Sequence, residues 1–198
     1  MTLLLATTNP NKVREIQPLL AGTALRLLTL ADVPPIAEPD ETGSTFAENA
    51  RLKALAYAAA SGHTVVAEDS GLCIDALGGE PGVRSARFLR DDASYAERFA
   101  AIFARLAAVP TAGRQARFVT AIAVARGDTI LYESEASIEG CIAAAPAGEH
   151  GFGYDPIFVY PPLGRTTAAM TTEDKSAVSH RARAFRDLRR AIERGRVG

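Results

Sequence analysis

The feature that most constrains the fold is a hairpin pattern that follows a series of alternating strand and helix segments. Residues Ala116 to Arg126 read as a strand, Gly127 and Asp128 as a turn, and Thr129 to Glu139 as the returning strand. A hairpin pairs its strands antiparallel, whereas strands joined through a helix are usually parallel. The chain of 198 residues is therefore predicted to be an α/β protein with a mixed sheet, in one domain over residues 1–198.

The amino-terminal half supplies the strand and helix alternation. A buried strand is expected at 2–6, a helix from Lys12 to about Ala21 with Asn11 as its cap, and a second strand at 24–30. Pro18 is expected to kink or loosen that helix. A capping box at 45–48 predicts a helix that Gly62 ends. A strand is expected at 63–67, followed by a turn at 70–71 and another apolar segment at 72–77. Helices are expected at 94–108 and 176–194.

Composition excludes several classes of protein. Lys and Arg total 22 and Asp and Glu total 23, so the chain has no global positive field for a nucleic-acid polymer or a membrane surface. No uncharged apolar run approaches the ~18 residues of a membrane-spanning helix. The two cysteines, Cys73 and Cys141, lack metal-ligand spacing and favour a reducing compartment, so a cytoplasmic location is predicted.

Rare residue types mark the segments that could carry chemistry. The chain has 19 arginines but only three lysines, Lys12, Lys53 and Lys175. Lysine carries a compact charge that can contact one phosphate oxygen, so lysines kept in an arginine-rich chain are candidate phosphate ligands. A biased nucleotide composition of the gene would also explain the ratio of arginine to lysine. The segment 7–12, Thr-Thr-Asn-Pro-Asn-Lys, joins a strand to a helix and offers donors for an anion. Ordinary helix capping by Asn11 explains the same residues.

Acidic and aromatic segments are the other candidates. Glu68 and Asp69 end an apolar strand, a place where α/β proteins often carry functional side chains, and their carboxylate oxygens suit Mg²⁺. Two consecutive acidic residues are also common in ordinary surface turns. Glu41 lies in an acidic loop and is uninformative alone. The glycine-rich segment 151–155 could place an aromatic ring against a base, or form a turn with two core aromatics. Lys175, with the His-Arg pair at 180–181, offers donors at a helix start that is otherwise an ordinary solvated terminus.

Taken together, these segments resemble the inosine triphosphate pyrophosphatase family, which hydrolyses deaminated purine nucleoside triphosphates. The matching stretches run in the same order from Thr7 to Ala184: TTNPNKVREI, ETGSTFAENARLKA, EDSGLCIDALGGEPGVRSARF, GFGYDPIF and TEDKSAVSHRARA. The resemblance implies an elongated mixed sheet flanked by helices, in two lobes around a central cleft. It also implies a homodimer and the conversion of a nucleoside triphosphate and water to the monophosphate and pyrophosphate, with Mg²⁺.

The resemblance also implies roles for individual residues. Glu41 and Asp69 would hold the metal, with Asp69 as the base for a water that attacks the α-phosphorus, while the role of Glu68, where an aspartate is common, stays open. Donors from Lys175 and Arg181 would favour a 6-oxo purine over adenine. The expected substrate contacts are Thr7, Thr8, Asn9, Pro10, Asn11, Lys12, Lys53, Ser70, Phe152, Gly153, Tyr154, Asp155, Lys175, His180 and Arg181.

Two other functions are compatible with the same segments. One is a pyrophosphatase for modified pyrimidine triphosphates, against which the GFGYDP and SHR segments argue. The other is a nucleotide sensor without catalysis, which would need the phosphate loop but not a pair of metal-binding carboxylates.

Overall fold

The computed structural model describes residues 1–197, and these form seven strands and five α-helices joined by short 3-10 turns. The strands are Thr2–Ala6 (β1), Arg26–Thr29 (β2), Thr64–Ile74 (β3), Gln115–Arg126 (β4), Thr129–Ile142 (β5), Phe158–Tyr160 (β6) and Arg165–Thr166 (β7). The helices are Pro10–Leu20 (α1), Phe46–Ser61 (α2), Tyr95–Arg105 (α3), Thr172–Val178 (α4) and His180–Glu193 (α5). None of these helices, all within residues 1–197, is long and apolar enough to cross a membrane.

The strands form one mixed sheet in the order β2-β1-β3-β4-β5-β6-β7. Strand β1 pairs in parallel with β2 and β3, so that Leu4 lies opposite both Leu28 and Val65. At the other end, β6 pairs antiparallel with β5 and β7. Strands β4 and β5 are neighbours joined by residues 127–128, as the hairpin pattern predicts. The predicted α/β class with a mixed sheet is confirmed.

The chain divides into two compact units, each with its own core. Unit 1 comprises residues 1–69 and 120–136 and the chain from His180 onward, and unit 2 comprises residues 70–119 and 137–179. In unit 1, apolar side chains of β1, β3 and β4 pack with those of α1 and α5, and Phe185 is fully buried. In unit 2, side chains of β4 and β5 pack with α3, and Phe158 is fully buried.

Local signals set the ends of α2 and α3. Thr45 and Glu48 form the predicted capping box at the start of α2, and Gly62 ends it with φ of +68° and an N–H that donates to the Ala58 carbonyl. Ser94 and Glu97 form the same box at α3. That helix ends at Arg105, three residues before the predicted end.

The amino-terminal elements differ from the prediction in detail. Helix α1 begins at Pro10 rather than Lys12, because proline is well suited to a first helical position and Asn9 supplies the cap in place of Asn11. The helix continues through Pro18 to Leu20. Strand β2 is shorter than predicted and spans only Arg26–Thr29.

Two predicted boundaries are wrong for tertiary reasons. No turn follows the predicted strand at residues 70–71, since β3 runs unbroken from Thr64 to Ile74. Every β3 residue except Ser70 is buried, so the strand is covered on both faces. Such a strand can include buried polar residues when their side chains have partners within the protein. The predicted last helix is two helices, α4 and α5, because Ser179 is extended with ψ of 151°.

Candidate active site

Two acidic residues of β3 organise unit 1. Glu68 and Asp69 are consecutive on the strand, and successive strand side chains point to opposite faces of a sheet. Glu68 consequently meets Lys12 and Arg181, which come from α1 and α5. Asp69 instead meets side chains of α2, including Lys53. One strand thereby builds two separate charged clusters.

The first cluster, called here the carboxylate cluster, comprises Glu41, Asn49, Lys53 and Asp69. The Lys53 ammonium lies 2.6 Å from Glu41 Oε1 and 3.1 Å from Asp69 Oδ1. Asn49 Nδ2 donates to the other Asp69 oxygen, Oδ2, at 3.2 Å. Asn49, Lys53 and Asp69 are all buried. The structure therefore brings together both predicted metal ligands and one predicted phosphate contact.

Burial and charge act on the acid–base behaviour of the carboxylate cluster. Burial raises the pKa of Asp69 above its ordinary value, and the opposing effect of Lys53 does not cancel the rise, to which Glu41 adds. For Lys53, burial alone would lower the pKa, but Asp69 and Glu41 raise it. Lys53 is therefore a stable cation, while Asp69 is a better proton acceptor than an exposed aspartate.

The donor set of the carboxylate cluster fits a hard divalent cation. Glu41 and Asp69 converge on the same ammonium, and carboxylate oxygens are the ligands that Mg²⁺ prefers. Within residues 1–197, no group of three or more His, Cys, Asp or Glu side chains is placed to hold an ion. A magnesium ion bound here would take two carboxylates from the chain, and Mg²⁺ usually takes its other ligands from water and substrate phosphates.

The second cluster, called here the buried ion cluster, comprises Lys12, Glu15, Glu68 and Arg181. Glu68 accepts from Lys12 Nζ at 2.9 Å and from Arg181 Nε at 3.0 Å, and Arg181 also pairs with Glu15. Burial alone would raise the pKa of Glu68, but the cations of Arg181 and Lys12 outweigh it and lower the pKa to about 2. Glu68 thus anchors the side chain of Lys12, the last residue of the candidate phosphate segment.

The candidate phosphate segment is ordered by its own side chains. Asn9 Oδ1 accepts from the backbone N–H groups of Asn11 at 2.9 Å and Lys12 at 3.4 Å. Thr7 Oγ1 in turn accepts from the Asn9 N–H at 3.2 Å. Since Asn9 uses two of the free amides at the start of α1, side-chain donors such as Lys12 are the stronger candidates for an anion.

The glycine-rich segment belongs to unit 2 and is built around one carboxylate. Asp155 is buried and accepts from the Phe152 N–H at 2.7 Å, from Lys175 Nζ at 2.6 Å and from Thr167 Oγ1 at 2.7 Å. Lys175 Nζ lies 5.1 Å from the centre of the Phe152 ring. Gly151 has φ of +74°, and a Cβ there would lie 2.1 Å from Asp155 Oδ2, so only glycine fits.

The two aromatic residues of this segment have different environments. Tyr154 is buried, donates its hydroxyl to the Ser85 carbonyl at 2.8 Å and packs edge to face with Tyr95. Burial also raises the pKa of Tyr154. Phe152 is only partly buried. The sequence left open whether these rings pack in the core or contact a base. Tyr154 packs in the core, and Phe152 is the ring better placed to contact a ligand.

The remaining predicted residues are divided between the units. His180 and Arg181 are buried in unit 1, where Arg181 is 3% exposed and held by Glu68 and Glu15. Lys175 belongs to unit 2, as does Ser70, a partly buried residue of β3. A purine-edge contact by Arg181 stays a prediction, and its side chain in this structure is committed to two carboxylates.

Sequence reasoning missed three residues that hold the site together. Asn49 and Glu15 lie within the matching stretches ETGSTFAENARLKA and TTNPNKVREI but were given no role, and Thr167 had no distinguishing signal. Each acts through a partner far away in the chain: Asp69 for Asn49, Arg181 for Glu15 and Asp155 for Thr167.

Comparison with known proteins places the whole chain in one family. The model of the Ham1 family matches residues 3–191. A dITP/XTP pyrophosphatase of Gloeobacter violaceus is 49% identical over 98% of this chain and 95% of its own length. One of Thermus thermophilus is 46% identical over 98% and 93%. The solved structure of a HAM1 protein from Coxiella burnetii has a TM-score of 0.89 at 37% identity, covering 98% of this chain and 99% of that one. The predicted resemblance is confirmed, and the chain belongs to the Ham1 family.

Proposed function

We propose that this protein is a pyrophosphohydrolase that converts dITP, ITP and XTP to the monophosphate and pyrophosphate, and so removes deaminated purines from the nucleotide pool. The observation that carries the proposal is the carboxylate cluster of Glu41, Lys53 and Asp69, in a chain that is 49% identical to a dITP/XTP pyrophosphatase over nearly its whole length. A cytoplasmic location and a homodimer stay predictions.

Magnesium is the proposed cofactor, held by Glu41 and Asp69. When bound, such an ion neutralises phosphate charge and lowers the pKa of water. The distance of 2.6 Å between Glu41 and Lys53 Nζ supports a role for Lys53 as the counter-charge that keeps both carboxylates ionised while they converge.

Asp69 is the proposed general base. Phosphoryl transfer depends mainly on positioning and charge neutralisation, with one residue to orient the water and take its proton. Without a bound ion, burial raises the pKa of Asp69, which makes it a stronger proton acceptor than an exposed aspartate. The fixed orientation of its two oxygens, each accepting from a different side chain of α2, supports this assignment.

The phosphates are assigned to residues 7–12 together with Lys53 and Ser70. Lys12 is well suited, because its side chain is 17% exposed and its ammonium lies against the buried carboxylate of Glu68. Glu68 fixes the position of the ammonium, and lysine can touch a phosphate oxygen from there as a point charge.

The base is assigned to Phe152–Asp155 of unit 2, with Lys175, His180 and Arg181 at the purine edge. Hypoxanthine and xanthine carry a 6-oxo acceptor, whereas adenine carries a 6-amino donor. A donor left unpaired against adenine costs about 1–3 kcal/mol, which disfavours ATP. The hydrogen bonds of Asp155 to the Phe152 N–H and to Lys175 support a role for Asp155 in shaping this segment.

A triphosphate panel tests the proposal. With Mg²⁺, we expect kcat/KM for dITP, ITP and XTP to exceed that for ATP by at least tenfold, with monophosphate and pyrophosphate as products, because one unpaired donor is worth about that factor. Liquid chromatography of nucleotides and a separate pyrophosphate assay measure both products. Faster cleavage of modified pyrimidine triphosphates would reassign the substrate, and ITP binding without turnover would indicate a sensor.

A further inference from the structure

Asn49 is the one asparagine of the chain that the proposed substrate contacts leave out, and it has an unusual position. It lies inside α2, where asparagine is a poorer helix former than alanine or leucine. Asn49 is 1% exposed, so its amide needs hydrogen-bond partners within the protein. It finds them outside its own helix.

The two ends of the Asn49 amide reach two different parts of the proposed site. Its Oδ1 accepts from the Gly43 N–H at 2.8 Å, two residues beyond Glu41. Its Nδ2 donates to Asp69 Oδ2 at 3.2 Å. The Gly43 N–H can only donate, so it fixes which end of the amide is the oxygen and leaves the NH₂ group for the carboxylate.

Gly43 is shaped for this contact. A Cβ at Gly43 would lie 2.7 Å from Asn49 Oδ1 and 2.7 Å from Glu48 Cβ, closer than side chains approach one another. The backbone of the Glu41 loop therefore packs directly on the Asn49 amide, and a larger residue at 43 would push it away.

The contact completes the environment of Asp69. Lys53 Nζ lies 3.1 Å from Oδ1 and Asn49 Nδ2 lies 3.2 Å from Oδ2, so each carboxylate oxygen has a donor and rotation of the group is restricted. The amide is neutral, so it orients the carboxylate without cancelling its charge.

We propose that Asn49 is a positioning residue that fixes the Asp69 carboxylate and the loop carrying Glu41 in one mutual geometry. This inference rests on the proposed function, because it assigns Asn49 to the geometry of triphosphate hydrolysis. A displacement of about 1 Å at a reacting group can cost 10²-fold in rate, so the expected effect is on kcat rather than on substrate affinity.

Two variants separate the two halves of the contact. Asn49→Leu removes both hydrogen bonds. Asn49→Asp keeps an oxygen that can accept from the Gly43 N–H, but it replaces the NH₂ group that donates to Asp69 with a second carboxylate oxygen, which cannot donate. We expect kcat for dITP to fall about 10- to 100-fold in both, with KM within about threefold of wild type. Hydrogen exchange at the Gly43 amide of the metal-free protein should accelerate at least tenfold in Asn49→Leu, and should stay within threefold of wild type in Asn49→Asp.

Thr45→Ala is the matched control. It removes the cap of the same helix, where Thr45 Oγ1 accepts from the Glu48 N–H, and none of the hydrogen bonds described for Thr45 involves Asp69. It should lower Tm by a few degrees and leave kcat within twofold of wild type. An equal loss of kcat in Thr45→Ala would show that the Asn49 variants act only by destabilising the helix, and would overturn the proposal.

Failure of this inference is distinct from failure of the proposed function. Wild-type protein that releases no pyrophosphate from deaminated purine triphosphates contradicts the function. Unchanged Gly43 exchange in metal-free Asn49→Leu contradicts the positioning role whatever the activity. A wild-type kcat for Asn49→Asp in an active enzyme also contradicts it.

Discussion

Asp69→Asn protein is expected to fold like the wild type and to lose at least 100-fold of its turnover of dITP, which corresponds to about 3 kcal/mol of activation free energy. Asparagine has the size of aspartate but carries no charge and accepts no proton at neutral pH. It therefore removes the proposed base and one of the two proposed metal ligands without opening a cavity.

The fold is expected to survive because the neighbours of Asp69 keep other partners. Lys53 retains its ion pair with Glu41 at 2.6 Å, and Asn49 Oδ1 retains the Gly43 N–H. Circular dichroism and Tm check the fold, and pyrophosphate release under saturating substrate measures kcat.

Asp75→Asn is the control for that measurement. Asp75 is exposed and its carboxylate pairs with Arg117, another residue of unit 2, whereas the carboxylate cluster belongs to unit 1. Its kinetics should match the wild type within twofold. An Asp69→Asn enzyme within threefold of wild-type kcat would remove Asp69 from the mechanism.

Glu68→Ala is expected to lower the free energy of unfolding by about 3 kcal/mol and Tm by roughly 6–12 °C. The substitution leaves Arg181, which is 3% exposed, without its main carboxylate, and an unpaired buried charge is strongly destabilising. This loss of unfolding free energy lies at the low end of the ~3–5 kcal/mol that removal of one partner from a buried ion pair costs. The reason is that Glu15 still pairs with Arg181 and that the Lys12 side chain can turn to solvent.

The effect of Glu68 depends on pH with a definite sign. Its pKa falls from an ordinary 4.5 to about 2 in the folded protein. Its ionised form therefore contributes full stability above pH 4.5, and the contribution is lost as the pH falls from 4.5 towards 2. Urea unfolding should show a large difference between wild type and Glu68→Gln at pH 7 that shrinks below pH 4.5.

A surface ion pair provides the comparison for Glu68. Glu133 pairs with Arg51 at the surface, with side chains 36% and 48% exposed, and such pairs contribute only about 0–1 kcal/mol. Glu133→Gln should leave Tm nearly unchanged at pH 7. A Glu68→Gln variant as stable as Glu133→Gln would show that the buried ion cluster does not stabilise the fold.

The parts of the fold that were predictable are those with local causes. The capping boxes at Thr45 and Ser94 and the turn at 127–128 depend on residues within a few positions of one another. The unbroken β3 and the break at Ser179 were not predictable, because they depend on what covers the strand and what α5 packs against. Asn9 and Asn11 are both good caps, and the choice between them follows from where Pro10 is placed.

The site was predictable to a similar extent. The residue types at Glu41, Lys53 and Asp69 were identified through the family resemblance, and strand alternation explains why Glu68 takes no part in their cluster. The role of Asn49 could not be predicted, since it exists only where the loop at Gly43, helix α2 and β3 meet in space.

The most direct measurement of the central claim follows the oxygen of the attacking water. Hydrolysis of dITP in ¹⁸O-labelled water with Mg²⁺, followed by mass spectrometry, shows which phosphorus is attacked. Attack at the α-phosphorus predicts one labelled oxygen in the monophosphate and none in pyrophosphate. Label in pyrophosphate, or release of inorganic phosphate together with a nucleoside diphosphate, would contradict attack at the α-phosphorus.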